Sequence, residues 1–224
     1  MISAPPLVLY GSSGYSLTIA DTLESWVPEP LARIVGYIDD FRGDDGSQIG
    51  EAAVMSFATW AATMQEIPVL VTPGKPAHKR KLVERISAAG GRFSSLYRIA
   101  RPTSGEIVIG DGTMIFAFVT IGAGTTIGQH VHIMPLASID AGCTIGDFCT
   151  VAAMSVVYGR VIIEPGVFVG VGARIVNESH DVMTIGAGAT IGAGSVVLRS
   201  VEPGEKLAGN PATDLRSFAK GRSS

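Results

Sequence analysis

The sequence predicts two architectures in one chain: an α/β domain over residues 1–100 and a parallel β-helix over 101–206, with a tail at 207–224. Three observations carry this. From Ile109 an aliphatic residue recurs at every sixth position, through Ile115, Ile121, Ile127, Ile133, Ile139, Ile145, Val151, Val157, Ile163 and Val169 to Ile175. Four residues after each anchor the side chain is small or β-branched, as at Thr113, Val119, Thr125, Val131 and onward to Ala173. Residues 1–100 lack this register and alternate short apolar runs with glycine turns and helical spacing. A helix needs a period of about 3.6 and a free strand a period of 2, so a sustained period of six points to short strands and tight turns wound into a triangular prism.

Taken in order, Leu7 to Tyr10 reads as an apolar strand, Gly11-Ser12-Ser13-Gly14 as the turn opening a helix from Tyr15 to about Trp26, and Ile34 to Ile38 as a second strand ending at Asp39-Asp40. Ile67 to Val71 gives a third strand. Ala77 to Ala89 gives a helix with Leu82, Val83 and Ile86 on one face, stopped by Gly90-Gly91, and Phe93 to Tyr97 a last short strand before Pro102. Together these make a small parallel sheet of Rossmann-like type. A glycine-rich turn between a first strand and a helix aims backbone N–H groups and a helix N-terminus at one place, which suits phosphate, so Gly11, Ser12, Ser13 and Gly14 are candidate substrate contacts. Gly-Ser-Ser-Gly lacks the three-glycine spacing of the dinucleotide fingerprint and reads equally as a bare tight turn. Asp39 and Asp40 stand where an acidic residue accepts from a ribose hydroxyl, or where a solvated turn would put them.

In the prism the anchors must point inward. Three hexads make a coil, so residues 18 apart are stacked neighbours about 4.8 Å apart. Each buried anchor is worth about 1.5–3 kcal/mol. Glycine after an anchor, as in Ile121-Gly122 or Ile191-Gly192, is expected to let the chain turn. Cys143 and Cys149 fall on inward small positions and read as reduced core residues, not as a disulfide or a metal pair. Between Ile175 and Ile185 the spacing is ten instead of six, so four extra residues leave as a loop within 177–183. That loop departs from the side of residue 141, two coils along or roughly 10 Å away.

The formal net charge is −3. Without a basic stripe a nucleic-acid partner is excluded, and His78-Lys79-Arg80-Lys81 reads as the polar face of a helix. There is neither a charged leader nor a run of about 18 apolar residues, so a cytoplasmic protein without a membrane partner is expected.

The order of parts, with strand–Gly-x-x-Gly–helix and strand–Asp-Asp followed by a hexad prism closing in Ala208-Gly209-Asn210-Pro211-Ala212, resembles one enzyme family. It is similar to the bacterial sugar O- and N-acyltransferases related to sialic acid O-acetyltransferase and to the bacillosamine and perosamine N-acetyltransferases. The resemblance implies a left-handed β-helix, a homotrimer and a nucleotide sugar held by the N-terminal domain. It also implies acetyl-CoA or another acyl-CoA as co-substrate in the groove between neighbouring prisms, with no permanently bound cofactor and no metal. Gly159, Gly170, Ala173 and Ala189 are the matching acyl-donor contacts.

The family's catalytic motif is altered here. Within Ile139-Asp140-Ala141-Gly142-Cys143-Thr144-Ile145-Gly146-Asp147-Phe148-Cys149-Thr150, Ala141 takes the place of the family's general-base histidine, Gly142 that of its carboxylate partner and Thr150 that of a second histidine. Tyr15 stands where many relatives carry histidine after Gly-x-x-Gly. Alanine takes no proton, so general-base activation of the acceptor cannot run through residue 141. Of the four histidines, His78 is expected on a helix surface and His130 and His132 at outward hexad positions. His180, flanked by Glu178 and Asp181 in the ejected loop, is the candidate base, or else a plain polar loop residue; Asp140 is the acid of the altered motif. A three-histidine zinc site of the γ carbonic anhydrase kind does not fit the spacing. The sequence thus leads to a CoA-dependent acyltransferase acting on a nucleotide-linked sugar, with a non-catalytic sugar-nucleotide- or CoA-binding descendant as the alternative.

Overall fold

A computed structural model describes residues 4–12, 14–25, 31–97, 105–179 and 181–214. The chain divides into two units, Met1–Gly74 with His78–Ser95, and Lys75–Ala77 with Leu96–Ser224. The first unit is built on β1 (Pro6–Tyr10), α1 (Tyr15–Glu24), β2 (Arg33–Ile38), β3 (Gln48–Ile49), β4 (Ala52–Met55), α2 (Phe57–Thr63), β5 (Val69–Val71) and α3 (Pro76–Ala88). Its sheet runs β3-β4-β2-β1-β5, parallel except for the β3–β4 pair. Leu7 to Tyr10 are buried in succession, as in a central parallel strand covered on both faces.

Four differences from the expected elements have clear causes. β4 and α2 escaped the sequence reading because they are four and seven residues long, and α2 depends on its cap, where Ser56 Oγ accepts the Thr59 N–H at 3.1 Å. The expected strand at 93–97 is divided: Phe93 bridges to Val69, whereas Leu96–Tyr97 pairs with Met114–Ile115. Lys79 is buried and so leaves the polar face assigned to it. It lies with Leu82, Val83 and Ile86 at the i, i+3, i+4 and i+7 spacing of one helical stripe. The helix end expected near Trp26 and the boundary at Pro102 lie outside the described residues.

The second unit is a left-handed parallel β-helix with three sheets as prism faces. Strands pair 18 residues apart, Ile127 with Ile109 and Ile145, Ile133 with Val151, and Ile139 with Val157. Beyond the loop the register becomes Ile163 with Ile185 and Val169 with Ile191, the four extra residues read from the sequence. Anchors from Ile127 to Val197 form one continuous core. The small inward residues have a second duty: Thr113, Thr125 and Ser155 donate their hydroxyls to the carbonyls of Gly128 (2.8 Å), Asp140 (3.0 Å) and Gly170 (2.9 Å), each fifteen positions on. Cys143 and Cys149 are buried free thiols directed at the Gly159 and Glu164 carbonyls. Polar side chains enter this core because each one satisfies a carbonyl of the next coil.

The glycine rule needs correction. The left-handed residue of most turns is three places after the anchor, as at Gly112, Gly124 and Gly142, not immediately after it. The glycine next to the anchor serves close packing: a Cβ on Gly146 would stand 2.6 Å from the Pro165 nitrogen in the coil above. Phe118, His130, Leu136, Phe148 and Met154 occupy the left-handed place without being glycine. His130 and His132 are also buried, not outward in solvent, and His132 has no exposed surface. His132 precedes an anchor, on the face where its register partners Met114 and Thr150 are buried too. On the other two faces the residues before the anchors keep exposure, as do Phe168, Thr190 and Lys206 further along this one, so the assumption that every face meets water fails on the first coils of one face of three.

Candidate functional site

In the first unit the chain runs from β1 through β2 to β4, then returns to β5 on the far side of β1. Open parallel sheets form their crevice at such a reversal, outside the carboxyl ends of the strands. A cavity of about 230 Å³ lies there, lined by Tyr10, Gly11 and Ser12 after β1, Ile38 to Phe41 after β2, Thr72 to Gly74 after β5, and Tyr15, Ser16, His78 and Leu82 from the helices.

The glycine turn is held from beneath. The Gly11 N–H donates to the Ile38 carbonyl at 2.8 Å, and a Cβ at Gly11 would meet Ser16 Oγ at 2.6 Å. Under it the Ser16 and Thr72 hydroxyls share a hydrogen bond of 2.5 Å, and Thr72 donates to the Tyr10 carbonyl at 2.6 Å. Ser12 Oγ donates to Asp39 Oδ2, while Asp39 Oδ1 accepts the Phe41 and Arg42 N–H groups at 2.9 and 3.0 Å. Burial acts to raise the Asp39 pKa, but the Ser12 hydroxyl and the Arg42 and Phe41 N–H groups outweigh it and hold the carboxyl below its ordinary value. Asp40 is placed differently. Its oxygens take the Tyr10 hydroxyl at 2.9 Å and Arg85 at 2.7 Å, and Arg85 lies 3.9 Å over the Phe57 ring. Burial and then the Asp40 carboxylate push the Tyr10 phenol up, and burial alone does so for Tyr15, so both remain protonated donors.

Of the expected contacts, Gly11, Ser12, Asp39 and Asp40 line this cavity, and Gly14 stands at the start of α1 with φ +52°. Ser13 lies outside the described residues. The sequence reading missed Thr72, Phe41 and the cavity side of His78. A turn signal at Thr72-Pro73-Gly74 was present, but only the strand order shows that it ends beside Gly11.

The second place of interest is one corner of the prism. Ala141 is exposed there. Asp140 Oδ2 accepts the Gly159 N–H at 3.1 Å, a coil-to-coil bond that gives this carboxylate a structural partner. A Cβ on Gly159 would stand 3.1 Å from Asn177 Cβ, so Asp140, Gly159 and Asn177 follow one another along the corner. Asn177 is buried and gathers the loop. Its Nδ2 donates to the carbonyls of Arg160 (2.9 Å) and Asp181 (2.8 Å), and its Oδ1 accepts the Ser179 N–H (3.1 Å) and hydroxyl (2.9 Å). A cavity of about 350 Å³ opens beside the loop, among Asn177, Ser179, Met183, Leu198 and Arg199. Glu178 and Asp181 are exposed, and His180 lies outside the described residues. Burial pushes the Cys143 thiol up, with Asp140 adding to it, so this sulfur is no nucleophile.

The expected acyl-donor contacts need correction. Ala173 and Ala189 have no exposed surface and belong to the prism core. A small side chain four places after an anchor is what the coil demands, and neither can touch a donor outside it. Gly170 is buried, its N–H donating to the Ile191 carbonyl at 2.8 Å, and Gly159 is half-buried. Among the described residues no group of three His, Cys, Asp or Glu could hold a metal ion, and no helix is long and apolar enough to cross a membrane.

Residues 106–141 and 124–159 match the family model described as bacterial transferase hexapeptide (six repeats). The chain is 39% identical over 110 residues to GDP-perosamine N-acetyltransferase of Escherichia coli O157:H7, covering 49% of this chain and 50% of the relative. It is 34% identical over 123 residues to UDP-3-O-acylglucosamine N-acyltransferase of Caulobacter sp. (strain K31), covering 53% of this chain and 35% of the relative. The chain therefore spans half or less of the length of these curated relatives. Among solved structures, a histidine-to-alanine mutant of GDP-perosamine N-acetyltransferase from Caulobacter crescentus, in complex with CoA and GDP-perosamine, superposes with a TM-score of 0.74 at 25% identity. That match covers 96% of this chain and 97% of the other.

Proposed function

We propose that this chain, whose prism carries the bacterial transferase hexapeptide repeat, transfers an acyl group from acyl-CoA, acetyl-CoA by preference, to an amino or hydroxyl group of a nucleotide-linked sugar. The observation that carries the reading is the cavity at the carboxyl ends of β1, β2 and β5, where a glycine turn leads into a helix N-terminus beside a buried carboxylate, in a chain whose other half is a hexapeptide-repeat prism. The similar solved protein binds CoA and GDP-perosamine. Gly11, Ser12, Ser13, Gly14 and Asp39 hold the nucleotide part of the acceptor, and the chain acts as a cytoplasmic homotrimer.

In the reaction the acceptor nitrogen or oxygen attacks the thioester carbonyl, its proton leaves to a base, and the CoA thiolate departs and is protonated. Ala141 cannot be that base. His180, which lies outside the described residues, is proposed instead, because its neighbour Asn177 lies along the same corner as Ala141 and bonds the Arg160 and Asp181 carbonyls on either side of the loop. Orientation of a neutral amine against the thioester supplies much of the remaining rate. Turnover of acetyl-CoA with GDP-, UDP- and dTDP-linked amino sugars tests this. The rate is expected to fall on the order of 100-fold in His180→Ala, the lower range for loss of a general base. An unchanged rate in the mutant removes His180 from the mechanism. Tight nucleotide-sugar binding without any turnover in the wild type favours the non-catalytic alternative, which the exposed Ala141 motivates.

A further inference from the structure

Phe41 is 96% exposed, more than any other large apolar side chain among the described residues. It does not hang on a slack loop. Asp39 before it is buried and receives Ser12, and Asp40 is tied to Tyr10 and Arg85. The Phe41 and Arg42 N–H groups both donate to Asp39 Oδ1, and the Gly43 N–H to the Asp39 carbonyl at 2.9 Å. The turn therefore presents a phenyl ring to water from a fixed backbone, on the cavity that Gly11, Ser12 and Asp39 also line. Those neighbours are polar, with a hydroxyl and a carboxylate that suit ribose. The phenyl face offers none of these. What it gains from is a flat ring laid across it, and stacking on an aromatic face accepts any base.

We infer that Phe41 is the stacking platform for the nucleobase of the acceptor, a positioning residue that seats the base and so sets where the attached sugar projects. The inference rests on the acceptor reading above and adds the residue that holds the base. Calorimetric titration of GDP, UDP, dTDP, inorganic pyrophosphate and acetyl-CoA into the wild type, Phe41→Ala and Phe41→Trp tests it. At least one nucleotide is expected to bind the wild type, with Phe41→Ala weakening it on the order of 10-fold or more. Phe41→Trp keeps affinity within about threefold, and its added indole changes emission when the nucleotide is bound. Pyrophosphate, which carries no base, binds the wild type and Phe41→Ala alike. Equal nucleotide affinity in wild type and Phe41→Ala overturns the inference. So does a matching loss for pyrophosphate, a loss confined to acetyl-CoA, or a change in sedimentation with nucleotide binding intact. A wild type that binds none of the three nucleotides overturns the acceptor reading itself, and this inference with it.

Discussion

Asp39 shows how one side chain joins structure to binding in this fold. A carboxylate facing a hydroxyl and two N–H groups is more stable ionised than it would be in water, so its folded pKa lies below the unfolded value of about 3.9. The stability it adds is present in full above that value and is lost as pH falls through the folded pKa. Asp39→Asn is therefore expected to melt at lower temperature than the wild type at pH 7, and the difference to shrink progressively as pH falls below the unfolded value of about 3.9. Thermal melts of both proteins across that range check it, and parallel curves would show that the hydrogen bonds do not depend on the charge. Asp40, one residue on, is exposed. Its carboxylate serves as the joint between Tyr10 and Arg85.

At the scale of elements, the hexad prism was almost wholly legible because its period is enforced at every coil. An anchor moved to another position would leave a hole and expose an aliphatic side chain. Ile145→Ala is accordingly expected to destabilise the protein by about 2–5 kcal/mol. Thr126→Ala on the same face, where residue 126 is exposed, should stay within about 0.5 kcal/mol. Denaturant titration distinguishes the two, and equal losses would contradict the inward and outward assignment. The four-residue loop insertion was legible for the same reason. The burial of His130 and His132 was not, since a period reports which side chains enter the core and not which outer face is covered. In the α/β unit the longer apolar runs announced themselves, whereas the four-residue β4 and the capped α2 did not. Part of the candidate cavity was visible as Gly11, Ser12, Asp39 and Asp40. Thr72 reaches it through the strand order, which no local pattern encodes, and Phe41, next to Asp40, carries no polar signal that would mark it.

For the whole molecule, the proposed trimer needs a surface through which copies meet. Phe118, Leu136 and Met154 stand 18 residues apart, so they line one corner of the prism in successive coils, and all three are exposed. Each also holds a left-handed backbone, with φ of 60°, 64° and 59°. Non-glycine residues in that conformation cost roughly 1–2 kcal/mol each. Glycine avoids that cost one coil further on, where Gly172 has φ 67°. Three strained, water-exposed apolar side chains in one row are destabilising in a lone chain and become favourable when another copy covers them. Leu136→Arg would put a charge in the middle of that row while leaving the core of each prism untouched. The wild type is then expected to sediment as three chains of 23.3 kDa and the variant as one, with unchanged circular dichroism. If the variant remains a trimer, the row lies outside the contact between copies; if the wild type is already a single chain, the proposed donor groove between prisms has no second wall.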